Sequence, residues 1–269
     1  MEIGGDAVLL AFDIGNSGIS VGVFSLEGRT AELLFKVRFS SDMRRTRDEY
    51  IIQLHSVLRL YGTDPRQIHA AAISSVVPEL TAVVSDAASY FTGAAPLIIG
   101  PGTKTGLNIR IDHQAQLGAD IVANTVAALT RLPAPLIVAD LGTATTLSVV
   151  SADRILCGTV ICPGLLISRD ALAHAASQLG GSDLSRPERI VGKNTRDSVN
   201  SGLINGHVLM LDGFIRELRA QLCADTDTKL SLAATGGLAE YVIPFCRNRF
   251  SLYPALTLLG VADIYLKNA

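Results

Sequence analysis

Two segments of the sequence, 127 residues apart, combine residue types that can hold a phosphate group. In each, an apolar run ends in an aspartate followed two positions later by a glycine, at Asp13 and Gly15 and again at Asp140 and Gly142. Glycine lets a ligand approach the backbone closely, and the small polar side chains that follow can donate hydrogen bonds. The repeat predicts a duplicated fold whose halves hold a phosphate-bearing ligand between them.

Each turn also has a plainer interpretation. The segment around Asp13 can be an ordinary hairpin turn in which the carboxylate caps a backbone amide. The threonines that follow Asp140 can simply continue a strand, a structure that threonine favours. In the functional interpretation, the Asp13 carboxylate holds Mg²⁺, which prefers oxygen ligands, and the backbone amides of the turn receive phosphate oxygens.

A third candidate segment, Thr235-Gly236-Gly237, follows another apolar strand. Its glycines permit close backbone approach to a flat ring or to phosphates, although the same residues also form plain strand-to-helix turns. All three segments lie at predicted strand ends of an α/β protein, where ligands of such sheets bind. Asp120 lies near the start of a predicted helix, where the helix dipole favours an acidic residue and where most such residues are only caps.

Composition excludes several classes of protein. The 269 residues can form one large domain or two ordinary ones, and 48% apolar with 18% charged residues is typical of a globular chain. A net charge of −2 without a Lys/Arg block argues against a broad nucleic-acid or anionic-membrane surface. We see neither a leader nor an apolar run of about 18 residues, so we expect a cytoplasmic protein without a membrane span.

The cysteines give no sign of a disulfide or zinc site. The four, which are Cys157, Cys162, Cys223 and Cys246, show no paired spacing, and the five histidines are scattered. We therefore expect buried free thiols.

The hydrophobic pattern predicts alternating strands and helices in both halves. In the first half, strands are expected at 7–13, 19–25, 31–38, 68–74 and 95–99, with helices at 46–61 and from Pro78 onward. In the second half, helices are expected at 117–132, 165–178, 197–222 and 255–267, with strands at 135–140, 145–151, 155–160 and 230–234.

The boundary between the halves is expected within residues 112–118, where no linker-like tract occurs. We therefore predict an N-terminal half at 1–116 and a C-terminal half at 117–269, whose terminal helix can pack back on the first half. The apolar face of helix 197–222 fits a dimer interface and an internal core equally well.

At this point the ordered motifs resemble those of the type III pantothenate kinases, in the acetate kinase–sugar kinase–Hsp70–actin superfamily, over nearly the whole chain. The matching stretches are 13–17, 73–78, 100–108, 118–120, 140–146, 163–164, 191–195 and 235–239. The resemblance implies an α/β fold with two similar RNase H-like, actin-like halves, each a mixed sheet flanked by helices, and a ligand cleft between them. It also implies a homodimer that phosphorylates pantothenate to 4′-phosphopantothenate with ATP, the first step of coenzyme A biosynthesis.

The resemblance implies roles for individual residues. Asp120 would be the general base for the substrate hydroxyl, Asp13 would lie near Mg²⁺, and Asp140 would bind the monovalent cation, K⁺ or NH₄⁺, that the family needs. The positions implied for ATP are Asp13, Ile14, Gly15, Asn16, Ser17, Gly18, Ile19, Ser20, Thr143, Gly236 and Gly237. Those implied for the acceptor are Gly118, Ala119, Asp120, Ile121, Ile111 and Thr195, the last usually across a dimer interface. Phosphoryl transfer needs mostly positioning and charge neutralisation, which such a set can supply.

The chain departs from the family pattern mainly at the acceptor positions. Ile121 stands where an arginine usually follows the base, and Ile111 stands where a tyrosine usually contacts the substrate. Isoleucine neither hydrogen-bonds nor carries charge, so it cannot replace a guanidinium fork. Residues 179–183 also differ from the usual Leu-Pro-Arg-x-Glu-like stretch, and Ser17-Gly18 replaces the usual Thr-Asn.

Three hypotheses follow. The first is an active pantothenate kinase that uses ATP, Mg²⁺ and a monovalent cation. The second is a weak or silent paralogue that retains nucleotide binding and acts as a regulator. The third is a kinase whose acceptor is a related small molecule less polar than pantothenate.

Overall fold

The computed structural model of the chain describes residues 7–176, 179, 182–223 and 229–269. The chain forms two compact units. The first comprises Met1–Leu107, Asp112–Thr130 and Ala255–Ala269, and the second comprises Asn108–Ile111 and Arg131–Pro254. This division differs from a boundary at 116/117, because the helix that follows residue 117 packs against the C-terminal helix within the first unit.

The first unit is built on a five-stranded sheet with the order β3-β2-β1-β4-β5. Strands β1 to β3 pair antiparallel, whereas β1, β4 and β5 pair parallel. The strands are β1 (Ala7–Ile14), β2 (Ile19–Glu27), β3 (Thr30–Phe39), β4 (Ile68–Ser75) and β5 (Leu97–Ile98).

Helices cover both faces of this sheet. One face carries the first apolar cluster, which includes Phe12, Ile14, Val21, Ile73 and Tyr50 and is covered by α1 (Arg47–Leu60) and α2 (Pro78–Thr92). Alternate residues of β1 point to the other face, which is covered by α7 (Leu256–Asn268). Helix α1 begins at a capping box, in which the Thr46 and Glu49 side chains bond each other's backbone amides.

Helix α3 (Ala119–Arg131) packs closely against α7 in the same unit. A side-chain carbon added at Gly260 of α7 would meet the backbone of Ala123 on α3, so the two helix backbones touch at this point. One turn away, the buried Thr257 hydroxyl donates to Asn124 Oδ1 at 2.8 Å. The position of α3, and hence of Asp120 at its start, therefore depends on the C-terminal helix.

The second unit repeats the topology of the first. Its sheet has the order β11-β10-β7-β8-β9-β6, in which β7 to β9 pair antiparallel and β7, β10 and β11 pair parallel. Strand β6 adds to the edge beside β9. The strands are β6 (Asn108–Ile109), β7 (Leu136–Leu141), β8 (Ala144–Val150), β9 (Ile155–Pro163), β10 (Ser231–Thr235) and β11 (Ser251–Leu252).

The second apolar cluster of the chain lies on one face of this sheet. It joins residues of β7, β8 and β10 to the long helix α5 (Thr195–Leu222) and to α4 (Leu165–Ala175) and α6 (Ala239–Val242). The described residues also contain short 3-10 helices at Pro65–Gln67, Gln114–Gln116 and Ile243–Phe245.

The predicted α/β class with two similar mixed sheets flanked by helices is confirmed. The predicted strand at 95–99 is reduced to two residues, and the two-residue strands β6 and β11 were not predicted. The predicted helix at 165–178 ends at Ala175, and its last predicted residue, Gln178, lies outside the described residues. In the stretch 179–183, positions 180 and 181 lie outside them as well.

The cysteines are free, as expected, but they are not buried. Cys157 is exposed and the other three are partly exposed. Burial nevertheless raises the pKa of the Cys246 thiol to about 12, which makes it a poor nucleophile at neutral pH. Among the described residues, no helix has the length and apolar character needed to cross a bilayer.

Candidate active site

Asp13 lies near the carboxyl end of β1, beside the turn that joins β1 to β2. A hydrogen bond from Gly15 N to Gly18 O at 3.1 Å closes this turn, and Ser41 Oγ donates to Gly15 O at 2.5 Å. Asn16 and Ser17 are exposed at the tip. The turn therefore presents two polar side chains to solvent, and short turns of this kind can bind an anion through their backbone amides.

Four of the predicted ATP positions 13–20 lie on the paired strands β1 and β2, and their side chains point to opposite faces of the sheet. Ile14 and Ile19 pair with each other across β1 and β2, and both side chains are buried in the first apolar cluster. Only the backbone of these two residues can meet a ligand. Asp13 and Ser20 also pair with each other, and strand alternation turns them to the opposite face.

A buried hydroxyl lies beside Asp13 and was not predicted. Ser74 on β4 pairs with Asp13 in the parallel register, so both side chains point to the same face. Ser74 is 0% exposed, and its hydroxyl has no hydrogen-bond partner among the described residues. Burying a hydroxyl without a hydrogen-bond partner costs free energy. A cation or phosphate bound beside the Asp13 carboxylate would give the Ser74 hydroxyl a partner. The sequence signal was the serine pair that follows the apolar run Ala70–Ile73 at the end of β4.

Asp120 lies in the first turn of α3, as predicted. Its Oδ1 accepts a hydrogen bond from Ile121 N at 2.8 Å. A side-chain carbon at Gly118 would collide with the same oxygen and would lie 3.6 Å from Val76 Cγ1. Because Val76 N donates to Ile14 O at 3.1 Å, this contact places the start of α3 at the same end of the sheet as the Asp13 turn.

The environment of Asp120 suits proton transfer. Burial raises the pKa of its carboxyl above the ordinary value, and backbone amide hydrogen bonds oppose part of that rise. In its ionised form, a carboxylate with a raised pKa is a stronger base than an exposed one.

Within the second unit, the Asp140 turn and the 235–237 turn lie against each other. Gly236 has a φ of 94°, and an added side-chain carbon there would lie 2.6 Å from Asp140 Oδ1 and 2.5 Å from Leu141 O. Leu238 N donates to the same Leu141 oxygen at 3.0 Å. Only glycine combines that backbone conformation with that space, so Gly236 is fixed by the close approach of the two turns.

Asp140 lies between two hydroxyls, because it pairs with Thr146 on β8 and Thr235 on β10. Thr143 is exposed at the tip of the turn, and its backbone packs against the buried Gly164. The carboxylate and the neighbouring hydroxyls supply oxygen atoms, the ligand type that hard cations take.

The predicted acceptor positions are distributed over both units. Thr195 is the exposed first residue of α5, which Asn194 caps by accepting from Asp197 N at 2.8 Å. Ile111 follows β6 and is partly exposed, whereas Ile121 is only 8% exposed within α3. Ile121 therefore serves as a packing residue of its helix.

A polar network that was not predicted anchors the residues before α5. The buried Asn200 donates to Asp183 Oδ1 at 2.7 Å and to Ser185 Oγ at 3.0 Å, and it accepts from Ser182 Oγ at 2.6 Å. Arg196 completes the network by pairing with Asp183, and this hydrogen bond lowers the pKa of the Asp183 carboxyl far below its usual value. The network ties the end of the divergent stretch, Ser182 and Asp183, to the start of α5.

The described residues contain no cluster of three or more histidine, cysteine or acidic side chains that would form a closed metal centre. Proteins commonly bind Mg²⁺ through one or two carboxylates together with substrate phosphates. The chemistry of the Asp13 edge, with its carboxylate and the buried Ser74 hydroxyl, is compatible with that ion.

The sequence matches curated relatives along nearly its whole length. The sequence model described as type III pantothenate kinase matches residues 9–217. A type III pantothenate kinase of Roseiflexus sp. (strain RS-1) is 39% identical over 261 residues, which cover 97% of this chain and 99% of the relative. The chain belongs to the type III pantothenate kinase family. The enzyme of that name from Geobacter sulfurreducens is 38% identical over the same share of each chain.

Solved structures support the fold. A conserved putative Baf family transcriptional activator from Campylobacter jejuni aligns with a TM-score of 0.60 at 18% identity, covering 96% of this chain and 98% of that one. An activator of 2-hydroxyisocaproyl-CoA dehydratase from Clostridium difficile aligns with a TM-score of 0.53 at 10% identity, covering 97% and 93%. At these identities the likeness concerns the fold, and the sequence match carries the family assignment.

Proposed function

We propose that the protein transfers the γ-phosphate of ATP to pantothenate and forms 4′-phosphopantothenate, the first step of coenzyme A biosynthesis. The observation that carries this proposal is the family match over 97% of the chain, together with the carboxylate of Asp120 at the sheet end that also bears the Asp13 turn. A cytoplasmic location is part of the same proposal, since ATP is supplied there.

In the proposed reaction, the first unit provides the base and the phosphate turn. Backbone amides of the Asp13–Ser20 turn receive phosphate oxygens, and Asp13 would hold Mg²⁺, which would neutralise charge on the phosphates. Asp120 accepts the proton of the pantothenate 4′-hydroxyl as that oxygen attacks the γ-phosphorus, and ADP leaves. The raised pKa of Asp120 supports this role, since it makes the carboxylate a better proton acceptor.

The second unit provides the other cation and further nucleotide contacts in this proposal. Asp140, flanked by Thr146 and Thr235, binds K⁺ or NH₄⁺ through oxygen ligands. Thr143 contacts ATP phosphates from the tip of the same turn. Gly236 lets its turn lie against the Asp140 turn, and in this proposal the backbone of Gly236 and Gly237 contacts the nucleotide.

A second candidate function rests on the residues at the predicted acceptor positions. The burial of Ile121 favours it, because an apolar packing residue occupies the position of the usual substrate-binding arginine. A family member without that arginine and without the usual tyrosine at 111 would bind nucleotide and turn over pantothenate weakly, acting as a regulator. Losing such contacts weakens binding by about 1–3 kcal/mol each where the partner group is left unpaired.

The deciding experiment measures ADP formation by the purified protein with ATP, Mg²⁺, K⁺ and millimolar pantothenate. We expect turnover that is lost in Asp120→Asn and retained in Asp86→Asn, a matched control on the exposed surface of α2. No turnover with wild-type protein contradicts the proposed function. In that case, ATP binding without pantothenate binding in calorimetry identifies the regulator, and turnover with another hydroxylated metabolite identifies a changed acceptor.

A restoring variant tests the acceptor positions directly. Ile111→Tyr combined with Ile121→Arg should lower the KM for pantothenate, since both replacements supply the polar groups that relatives use. The control, Ile111→Phe combined with Ile121→Met, has similar volume without those groups. Thermal melts of both variants show whether an arginine at the buried position is accommodated.

We also propose a homodimer. Thr195 lies at the exposed start of α5, and exposed apolar side chains occur on the same unit at Ile190, Val191 and Leu209. Sedimentation equilibrium should report twice the chain mass of 28.4 kDa. A single species at the chain mass would exclude a dimer at the concentration used.

A further inference from the structure

Four polar side chains form a row across the first sheet. In the strand register, Arg38 on β3 pairs with Ser20, Ser20 pairs with Asp13, and Asp13 pairs with Ser74. Residues that pair across a sheet point to the same face, and the neighbours Val37, Val21, Phe12 and Ile73 face the first apolar cluster on the other side. The row therefore ends in a guanidinium at the edge of the proposed phosphate turn.

The Arg38 guanidinium lies directly over that turn. A side-chain carbon built on Gly18 would lie 2.5 Å from Arg38 Nε and 2.9 Å from Nη2. The guanidinium thus occupies the space that any side chain at position 18 would fill. Arg38 is exposed, and among the described residues it has no carboxylate or hydrogen-bond partner that would neutralise its charge.

The second unit shows that the fold does not require an arginine here. In its matching row, Asp140 pairs with Thr146, and Thr146 pairs with Ile161. Ile161 thus takes the position of Arg38 and is 66% exposed. Since the same topology accepts an apolar side chain at this place, the charge of Arg38 has a reason other than packing.

We propose that Arg38 is a phosphate-binding residue of the kinase, whose guanidinium contacts the polyphosphate of the nucleotide held by the Asp13–Ser20 turn. A guanidinium offers a planar fork of donors that matches two phosphate oxygens at once. Phosphoryl transfer depends on neutralising the charge of these oxygens, which the turn amides alone do incompletely. This inference rests on the proposed function, because it assumes that the turn holds a nucleotide.

The test measures the affinity of ATP and ADP for the wild-type protein and three variants by titration calorimetry. Arg38→Gln should weaken ATP binding by about 10- to 100-fold, the usual effect of losing charged hydrogen bonds. The affinity of Arg38→Lys should lie between those of the wild type and Arg38→Gln, because lysine keeps the charge but loses the planar fork of donors. Lys36→Gln is the matched control, since Lys36 lies two residues away on the same strand and face but pairs with Gly22, farther from the turn. We expect it to bind ATP as the wild type does.

A double-mutant cycle separates a phosphate contact from a general disturbance of the turn. Gly18→Ala must displace the guanidinium, so it should weaken ATP binding when Arg38 is present. In the Arg38→Gln background the same change should cost much less, because the displaced group is already absent. Equal losses in both backgrounds would contradict the proposal.

The two proposals fail in distinguishable ways. If Arg38→Gln binds ATP within twofold of the wild type, the role of Arg38 is excluded while pantothenate phosphorylation can still stand. If the wild type binds ATP but does not phosphorylate pantothenate, the proposed function fails, and the loss of affinity in Arg38→Gln still supports the phosphate contact. If the wild type binds no nucleotide, both proposals are overturned.

Discussion

The contact between α3 and α7 predicts that a methyl group far from the chemistry should impair it. In Gly260→Ala, the new carbon would lie 2.9 Å from the Ala123 Cα and closer still to the carbonyl group of that residue, where ordinary contacts begin at 3.4 Å. All three neighbours are backbone atoms, so no side chain can rotate away. One helix must therefore move by roughly 1 Å or more to relieve the contact with the Ala123 carbonyl group.

The size of the effect follows from the competing terms. Overpacking of this kind costs about 1–3 kcal/mol, and movement of α7 also strains the buried bond from Thr257 to Asn124, which contributes about 1 kcal/mol. Replacing glycine by alanine inside a helix returns up to about 1 kcal/mol. We expect a net loss of about 2 kcal/mol, which lowers the melting temperature by roughly 4–8 °C in a protein of this size.

Turnover should fall as well, because Asp120 lies only three residues from Ala123 on the displaced helix. A misplacement of about 1 Å can cost roughly 100-fold in rate, so we expect kcat to drop by about 10- to 100-fold. Calorimetric melting and steady-state kinetics measure the two effects. Gly213→Ala on α5, where an added carbon meets nothing within 4 Å, is the control and should be neutral or slightly stabilising. A Gly260→Ala protein that melts within 1 °C of the wild type and keeps its kcat would refute the reasoning.

Three further predictions follow from single residues. Asp120→Asn should reduce kcat by about 100- to 10,000-fold, the usual contribution of a general base, and wild-type turnover should fall in acid as Asp120 is protonated. Because the pKa of Asp120 is raised above 3.8 in the folded protein, its ionised carboxylate destabilises the folded state, fully so above the raised pKa and not at all well below 3.8. The Asp120→Asn protein should therefore unfold at a higher urea concentration than the wild type at pH 7, but not at pH 3. Gly236→Ala should cost about 1–3 kcal/mol of stability and weaken ATP binding, because φ is 94° and Leu141 O lies 2.5 Å from the new carbon. Thr46→Ala breaks the capping box with Glu49, so it should cost about 1 kcal/mol in urea unfolding without changing kcat.

The strands that build each sheet could be predicted because their residues carry local signals. Residues 7–12 form an apolar run that ends at Asp13, and β3 alternates apolar and polar side chains from Phe35 to Phe39. The alternation in β3 even indicates that Arg38 points away from Phe35, Val37 and Phe39. Two-residue strands such as β5, β6 and β11 cannot show a period, so their bounds depend on pairing with neighbours.

The contacts that position the site depend on residues far apart in the chain, and these the sequence does not show. Nothing near Ala123 indicates that Gly260 will touch it, so the sequence could not show that residues 112–130 belong to the compact unit of the C-terminal helix. Likewise, the pairing of Arg38 with Ser20 and of Asp13 with Ser74 follows from strand register, which the sequence leaves open. The motifs identify which side chains can do chemistry, and tertiary pairing decides which of them meet.

The duplicated fold allows the two aspartate turns to be compared as variants of one structure. Asp13 and Asp140 occupy matching positions beside a hydroxyl on the parallel neighbour, Ser74 in one unit and Thr235 in the other. The backbone placement of each carboxylate thus follows from the topology. The residue at the outer end of each row, on β3 or β9, differs between the units: it is Arg38 in the first and Ile161 in the second. A guanidinium at that outer position in the first unit adds a donor suited to phosphate oxygens, whereas isoleucine at the matching position in the second unit adds neither a charge nor a hydrogen bond. Under the proposed function, this difference would let the first turn hold the nucleotide phosphates while the second holds only a cation.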